Sequence, residues 1–574
     1  MKYVYTICFL TWFSFGFSQI QFNNVSQSSG LQNSEFGFGV LGGGISFYDF
    51  NQDGFDDITI ATDDTKNVKF FENNGNGIFV EILMNGINAN YENKSVTWID
   101  YDNDGDLDFY VTNYLASNHL YQNDGNYNFT EISESAGLTE SFIRTWGASW
   151  ADYDKDGDLD LLILHRNGLN LIEHNILYQN NGDGTFTDVT AIAGLSLQNQ
   201  LSFCAAFFDY NNDGWLDIYI ANDKTITHNL LYKNNGDGTF TDVSTPSQSD
   251  IVMDAMSTTI GDYNKDGFFD IYITNTSNGN VFLNNNGDGT FTDVALLTNT
   301  TFNSVGWGAV FLDADLDTDL DLYVSGSGDG PQGTPSAAFY EQITPVNFTE
   351  LSGAMPNDTA ISYSNAKGDY DNDGKPDIVV LNFSPDDLFL WHNETQTSNN
   401  WAKIKLKGTI SNSMAIGSVI ELKPENLPTQ YELIMCSEGY ISQNSAYEFF
   451  GLGDAQQIEN LTIKWPNGLV ESYQNLPVNT SFVIEENTGI LSTENFKASN
   501  PKIYPNPASS NVNIKSQNLV KQTKIFSLQG KILFKKKIHA TDFTIDIQQF
   551  SNGIYILELV GGTNSYKQKL VVKH

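Results

Sequence analysis

The chain has 574 residues and a formal net charge of −41, from 70 acids against 29 lysines and arginines. That length predicts several domains, and an ordinary apolar content with 13% aromatic residues excludes general disorder. So acidic a chain, with arginine only at Arg144 and Arg166, repels phosphate and lacks bidentate phosphate readers, which excludes nucleic acid as a partner.

Residues 1–18 read as a secretory signal. Lys2 gives the positive end, residues 4–17 form an apolar run too short for a membrane span, and Gly16 and Ser18 predict cleavage before Gln19. An N-terminal anchor is the alternative reading. No later stretch is apolar enough to span a bilayer, so no transmembrane segment is expected in the mature chain.

Aspartates then set the pattern. A nine-residue loop, Asp-x-Asp/Asn-x-Asp-x-x-x-Asp, begins at Asp49, Asp100, Asp152, Asp209, Asp262, Asp313 and Asp369, every 51 to 57 residues. Short runs rich in β-branched and aromatic residues flank each loop, such as 96–99 and 109–111 around the second. They read as strands, so each loop closes a hairpin. Farther on, Asn-Asn-Gly-Asp-Gly-Thr-Phe-Thr-Asp-Val at 180–189, 234–243 and 285–294 marks a second hairpin, because Asn-Gly and Asp-Gly steps supply φ > 0. Four short antiparallel strands in each repeat of about 50 residues predict propeller blades.

The blade count has a second witness. The outer-strand motif Phe-x-x-Val/Ile/Leu occurs at Phe22, Phe79, Phe129, Phe186, Phe240, Phe291 and Phe348, out of step with the loops. Phe22 precedes the first loop, and no motif follows the last. The N-terminal strand is therefore expected to complete the last of seven blades and leave no open sheet edge.

Loop positions 1, 3, 5 and 9 carry the candidate metal ligands. They are Asp49, Asn51, Asp53 and Asp57; Asp100, Asp102, Asp104 and Asp108; Asp152, Asp154, Asp156 and Asp160; Asp209, Asn211, Asp213 and Asp217; Asp262, Asn264, Asp266 and Asp270; Asp313, Asp315, Asp317 and Asp321; and Asp369, Asp371, Asp373 and Asp377. Alternate spacing lets one tight turn aim several oxygens inward, with a main-chain carbonyl at position 7 completing the set. Glycine at position 6 takes the sharp bend in six loops. Such an all-oxygen, flexible cage suits Ca²⁺, at about seven sites. The loops are not EF-hands, because strands flank them and position 12 is apolar. Thr318 stands where the other loops have glycine, which predicts the weakest site in the sixth loop.

Little else carries chemistry. His119, His174 and His228 fall at related points of successive repeats and read as blade residues. There is no zinc spacing, nucleophile elbow or phosphate loop, and no catalytic residue or organic cofactor is expected. Cys204 and Cys436 are expected as buried free thiols, with metal ions doing the cross-linking.

The loops with their strands, together with Gly37-Phe-Gly39, Trp146-Gly147 and Trp307-Gly308, resemble the FG-GAP/VCBS propeller repeat over 19–398. Beyond it, Met414-Ala-Ile-Gly417, Ser437-Glu-Gly-Tyr-Ile-Ser-Gln443, Phe450-Gly-Leu-Gly453 and residues 461–468 resemble the ASPIC/UnbV domain of cartilage acidic protein-like chains. Alternating apolar residues predict a small β-sandwich over 399–487. A Ser/Thr/Asn-rich linker is expected at 488–500. Residues 501–574 open with Ile503-Tyr-Pro-Asn-Pro-Ala508 and end on Lys567-Gln-Lys-Leu-Val-Val-Lys573. They resemble the type A C-terminal sorting domain of the type IX secretion system, which implies an Ig-like β-sandwich. Twelve lysines against three acids from 497 to 574 mark this tail as a separate module.

The expected fold is therefore all-β: a seven-bladed propeller, a small β-sandwich and a sorting domain. The resemblance implies a secreted or outer-surface protein whose tail engages the type IX machinery. Extracellular adhesion, or capture of a protein or glycan ligand on the propeller's loop face, is the function this arrangement favours. The chain is not read as an enzyme. A polysaccharide-acting enzyme with its residues at the central channel, or a passive surface scaffold, is the alternative.

Overall fold

The computed structural model describes residues 20–125, 127–138, 144–166, 174–327, 335–494, 502–527, 531–560 and 565–574. The expected signal segment lies outside them. The chain divides into two compact units, Met1–Asn495 and Phe496–His574.

Among the described residues the first unit holds seven four-stranded antiparallel sheets of one pattern. In the third, Thr145–Ala151, Asp160–His165, Ile176–Asn180 and Phe186–Asp188 pair in chain order. Both faces of the first two strands pack on neighbours, so all their residues are buried. This explains the continuous run Leu161-Leu-Ile-Leu164 where a half-exposed strand would alternate. The last sheet runs Ser362–Gly368, Asp377–Asn382 and Phe389–Asn393, and its fourth strand is Phe22–Asn24. Phe22 pairs with Asn393 and Asn24 with Trp391. The N-terminal strand thus closes the ring as the shifted phenylalanine motif predicts.

The same unit continues into a β-domain of two four-stranded sheets. One is ordered Glu448–Gly453, Asn400–Lys407, Thr480–Glu485, Gly489–Glu494; the other Gln430–Leu433, Val419–Pro424, Gln457–Lys464, Val470–Pro477. The expected linker from 488 is corrected in its first part. Gly489–Glu494 is a strand on Thr480–Glu485, and Ile490 packs on the domain core.

Residues 436–446 of this domain enter the propeller axis. Tyr440 is fully buried, its ring centroid 4.9 Å from that of Trp307 and 5.6 Å from that of Phe203. Its hydroxyl accepts from Trp146 Nε1 at 3.0 Å and donates to the Leu41 carbonyl at 2.7 Å. Gln443 bonds the backbone of Trp98 and the hydroxyl of Ser46. Ser437 donates to the Ala148 carbonyl, Ile441 N to Cys204 Sγ and Gly439 N to the Thr258 carbonyl. Lys367 N donates to Asn444 Oδ1. One loop thereby touches the inner edge of every blade. Cys204 and Cys436 are buried and free.

The second unit is β-rich. Lys502–Tyr504, Asn511–Phe526, Gly553–Val560 and Ser565–Val572 follow one another across its sheet, with Ile532–Asp546 paired to Asn511–Phe526.

Candidate metal centres and their capped face

All seven loops share one geometry at position 1, and six of them, all but the fifth, also at both oxygens of position 9. In the first, Asp49 Oδ1 accepts from Asp53 N at 2.9 Å and Oδ2 from Gly54 N at 3.0 Å. Asp57 Oδ2 accepts from Phe50 N, and its Oδ1 from Asn73 N on the third strand at 2.7 Å. Positions 1 and 9 are thus clamped by backbone N–H groups. Position 6 is left-handed throughout, with φ from 82° to 97° at the six glycines and 89° at Thr318.

In four of the seven loops trios of acids come together. Asp100, Asp102 and Asp108 place ligand oxygens within 4.8 Å of one another, as do Asp152, Asp154 and Asp160, and Asp313, Asp315 and Asp321. In the seventh loop Asp369, Asp371 and Asp373 form one such group, and Asp371, Asp377 and His392 another. Position 5 (Asp104, Asp156, Asp317) stands outside the trios of its loops. Where position 3 is amide, Asn51, Asn211 and Asn264 accept from the N–H of Asp53, Asp213 and Asp266.

Burial, then mutual repulsion, pushes these carboxyls up. Asp57 and Asp108 reach about 9 and Asp217 about 8. Asp152 and Asp262 reach about 7, and Asp160, Asp270, Asp313 and Asp321 go well above the carboxylate range. Asp270 is fully buried, and its Oδ2 meets no hydrogen-bond donor. Buried acids so placed lack a positive charge, and an all-oxygen set of this kind suits a hard divalent ion such as calcium.

Two devices around the loops escape sequence reading. The Asn that opens the second hairpin motif also staples blades. Asn180 Nδ2 donates to the Tyr101 carbonyl at 2.9 Å, Asn234 to Tyr153 at 2.8 Å and Asn285 to Tyr210 at 2.8 Å. Position 4, also left-handed, latches successive loops. Gln52 donates to the Gly105 carbonyl, Asn103 to Gly157, Asn212 to Gly267 and Asn372 to Gly54. The hairpin signal of Asn-Asn-Gly hides the first role. The second has no signal in a single loop, because the partner lies one blade away.

The β-domain sits on this loop face. Lys403 Nζ lies 2.8 Å from Asp369 Oδ2, and Ser413 Oγ donates to Asp100 Oδ2 at 2.5 Å. Gly453 N donates to the Leu316 carbonyl, and Asn399 to that of Asp315. A Cβ on Gly374 would fall 2.1 Å from the Trp401 ring. Between the domain and the first two blades lies a cavity of about 310 Å³.

Comparison with known families agrees with this architecture. FG-GAP-like repeat profiles match 49–111, 100–163, 168–220, 209–273 and 262–324. The ASPIC and UnbV profile matches 408–490, and that of the secretion system C-terminal sorting domain 502–573. The chain carries FG-GAP-like repeats, an ASPIC/UnbV domain and a sorting domain. The sorting domain marks it for secretion or the cell surface, and no helix among the described residues is long and apolar enough to cross a membrane. Cartilage acidic protein 1 of Xenopus tropicalis is 26% identical over 45% of this chain and 41% of its own length. The Homo sapiens protein is 21% identical over 72% of this chain and 56% of its own. The chain thus spans about half the length of these relatives. Likeness to solved structures is loose: Saccharomyces cerevisiae Sqt1 aligns with a TM-score of 0.39 at 9% identity, over 66% of this chain and 99% of Sqt1.

Proposed function

We propose that this is an extracellular binding protein with no reaction of its own, a calcium-stabilised propeller that captures a protein or glycan. The capture surface expected on the loop face is corrected to the opposite face, because the β-domain sits on the aspartate loops. The carrying observation is the cap. The ASPIC/UnbV domain covers the loop face, and Tyr440 fills the axis among Trp146, Phe203 and Trp307. A packed aromatic axis disfavours a catalytic group held in the channel. The opposite end is formed by the connections from second to third strand and from blade to blade. These connections carry exposed Phe38, Leu83, Ile192, Ile226 and Leu296, and exposed apolar side chains favour contact with a partner. This step rests on the physics of the surface, since propellers serve many ends.

The test is an array of glycans and matrix proteins probed with the mature chain, with calcium present throughout. Binding to a defined ligand, lost on Leu83→Asp or Ile192→Asp while the melting temperature holds, supports the reading. Absence of binding to every class sinks it in favour of a scaffold or an enzyme.

A further inference from the structure

One position of the third strand faces each aspartate loop, and its identity changes from blade to blade. It precedes the residue whose N–H holds the position-9 aspartate, and reads Glu72, Gln122, Gln179, Lys233, Asn284, Glu341 and His392. The side chains reach the ligand positions. Gln122 Nε2 donates to Asp102 Oδ2 at 2.8 Å and Gln179 Nε2 to Asp154 Oδ2 at 2.6 Å. Asn264 Nδ2 donates to Asn284 Oδ1, and Lys233 Nζ lies 3.1 Å from Asp213 Oδ2.

The seventh loop is unlike the others. His392 Nδ1 lies 3.1 Å from Asp377 Oδ1, and its Nε2 lies 3.9 Å from Asp371 Oδ2. Lysines claim the other two carboxylates, Lys403 on Asp369 at 2.8 Å and Lys375 on Asp373 at 2.8 Å. Left for an ion are one imidazole and two carboxylates, with ligand atoms within 4.8 Å. Tyr370 packs edge-on against the imidazole at 5.4 Å. Calcium prefers six to eight oxygens. Imidazole with carboxylates suits zinc and its first-row neighbours, and three protein ligands plus water make an open four-coordinate site.

We propose that His392 turns the seventh loop into a mixed nitrogen–oxygen site, with Asp371 and Asp377, for a divalent transition ion of the zinc class. The third-strand residue is then the determinant of cation choice from blade to blade. This rests on the reading of the loops as cation sites.

The test uses the mature full chain, stripped of metal and titrated with Co²⁺ in saturating calcium, with visible absorption as the readout and bound calcium counted on the same samples. The wild type should gain one cobalt absorption band. His392→Gln should weaken cobalt binding at least about tenfold and leave the calcium count of the other loops unchanged. Gln179→His, which puts imidazole in the equivalent place of the third loop, should add a second band. A wild type without the band, a band that survives His392→Gln, or a Gln179→His variant without a second band would each overturn the proposal. Failure of the calcium reading shows separately, as a calcium count of zero whatever cobalt does.

Discussion

Asn73 Nδ2 donates to the Tyr370 carbonyl across 2.8 Å, joining the first blade to the seventh beside the seam that Phe22–Asn24 closes. Both residues are buried, so Asn73→Ala leaves a carbonyl without a donor, a cost of about 1–3 kcal/mol. Denaturant unfolding of the mature chain should show that loss. An unchanged midpoint would mean the seam is held by strand pairing alone.

Calcium should raise the melting temperature, by about 2.7 kcal/mol of stability for each site at one hundred times its Kd. The gain should depend on pH. Burial raises the carboxyls of Asp100 to about 6, Asp152 and Asp262 to about 7 and Asp217 to about 8. A raised folded-state pKa gives stability that is complete below the ordinary carboxylate range and lost as pH climbs through the raised value. The metal-free protein should therefore weaken steadily from about pH 4 toward pH 9. Bound calcium holds these groups ionised and removes that loss. Scanning calorimetry with calcium and with excess chelator, at about pH 5 and pH 8, should show the larger calcium effect at pH 8. No chelator effect at either pH would contradict the structural role of the ion.

Thr318 adopts φ of 89° where six loops have glycine, and a β-branched residue held there stores about 1–3 kcal/mol. Its backbone N–H still reaches Asp313 Oδ2 at 2.8 Å, so the loop keeps its shape under strain. Asp313→Ala should remove the weakest step of a calcium binding isotherm, Asp152→Ala a tighter one, and Thr318→Gly should tighten the sixth site. Equal affinities in all three comparisons would refute the ranking.

Tyr440→Ala should cost about 3–5 kcal/mol, the usual range for emptying a buried aromatic site. Tyr440→Phe keeps the ring and strips Trp146 Nε1 of its acceptor, costing about 1–3 kcal/mol. Thermal unfolding should rank wild type, Phe and Ala in that order. A Phe variant as poor as Ala would place the importance of the plug in its hydroxyl.

Removing the chain after about residue 500 should leave the protein inside the cell envelope. Fractionation and surface proteolysis would show this, and normal surface delivery of the truncated chain would break the link between this tail and export.

Much of this was readable in the sequence, because each blade repeats one local rule. Asp-x-Asp-x-Asp-Gly forces a turn at whatever blade it occurs, and Phe22 before the first loop marks ring closure without any coordinates. Contacts between repeats were not readable. Nothing near Asn103 tells that its amide meets Gly157 in the next blade, and nothing near Tyr440 tells that it occupies the axis. His392 carries no signal in the sequence for a related reason. Read along the chain it is one more strand residue, and only strand pairing brings it to Asp371 and Asp377. The linker expected from 488 failed because Ser and Thr suit an edge strand as well as a loop.

The loop that holds Tyr440 touches the inner edge of seven blades at once. Tandem repeats usually gain or lose units by duplication and deletion, since each contacts only its neighbours. Here a ring of six or eight would change the bore, and a single eleven-residue loop from a different domain would no longer meet its walls. The number of blades and the sequence of that loop must therefore have changed together or not at all. An ancestral shift in repeat number would be recorded in the loop as well as in the ring.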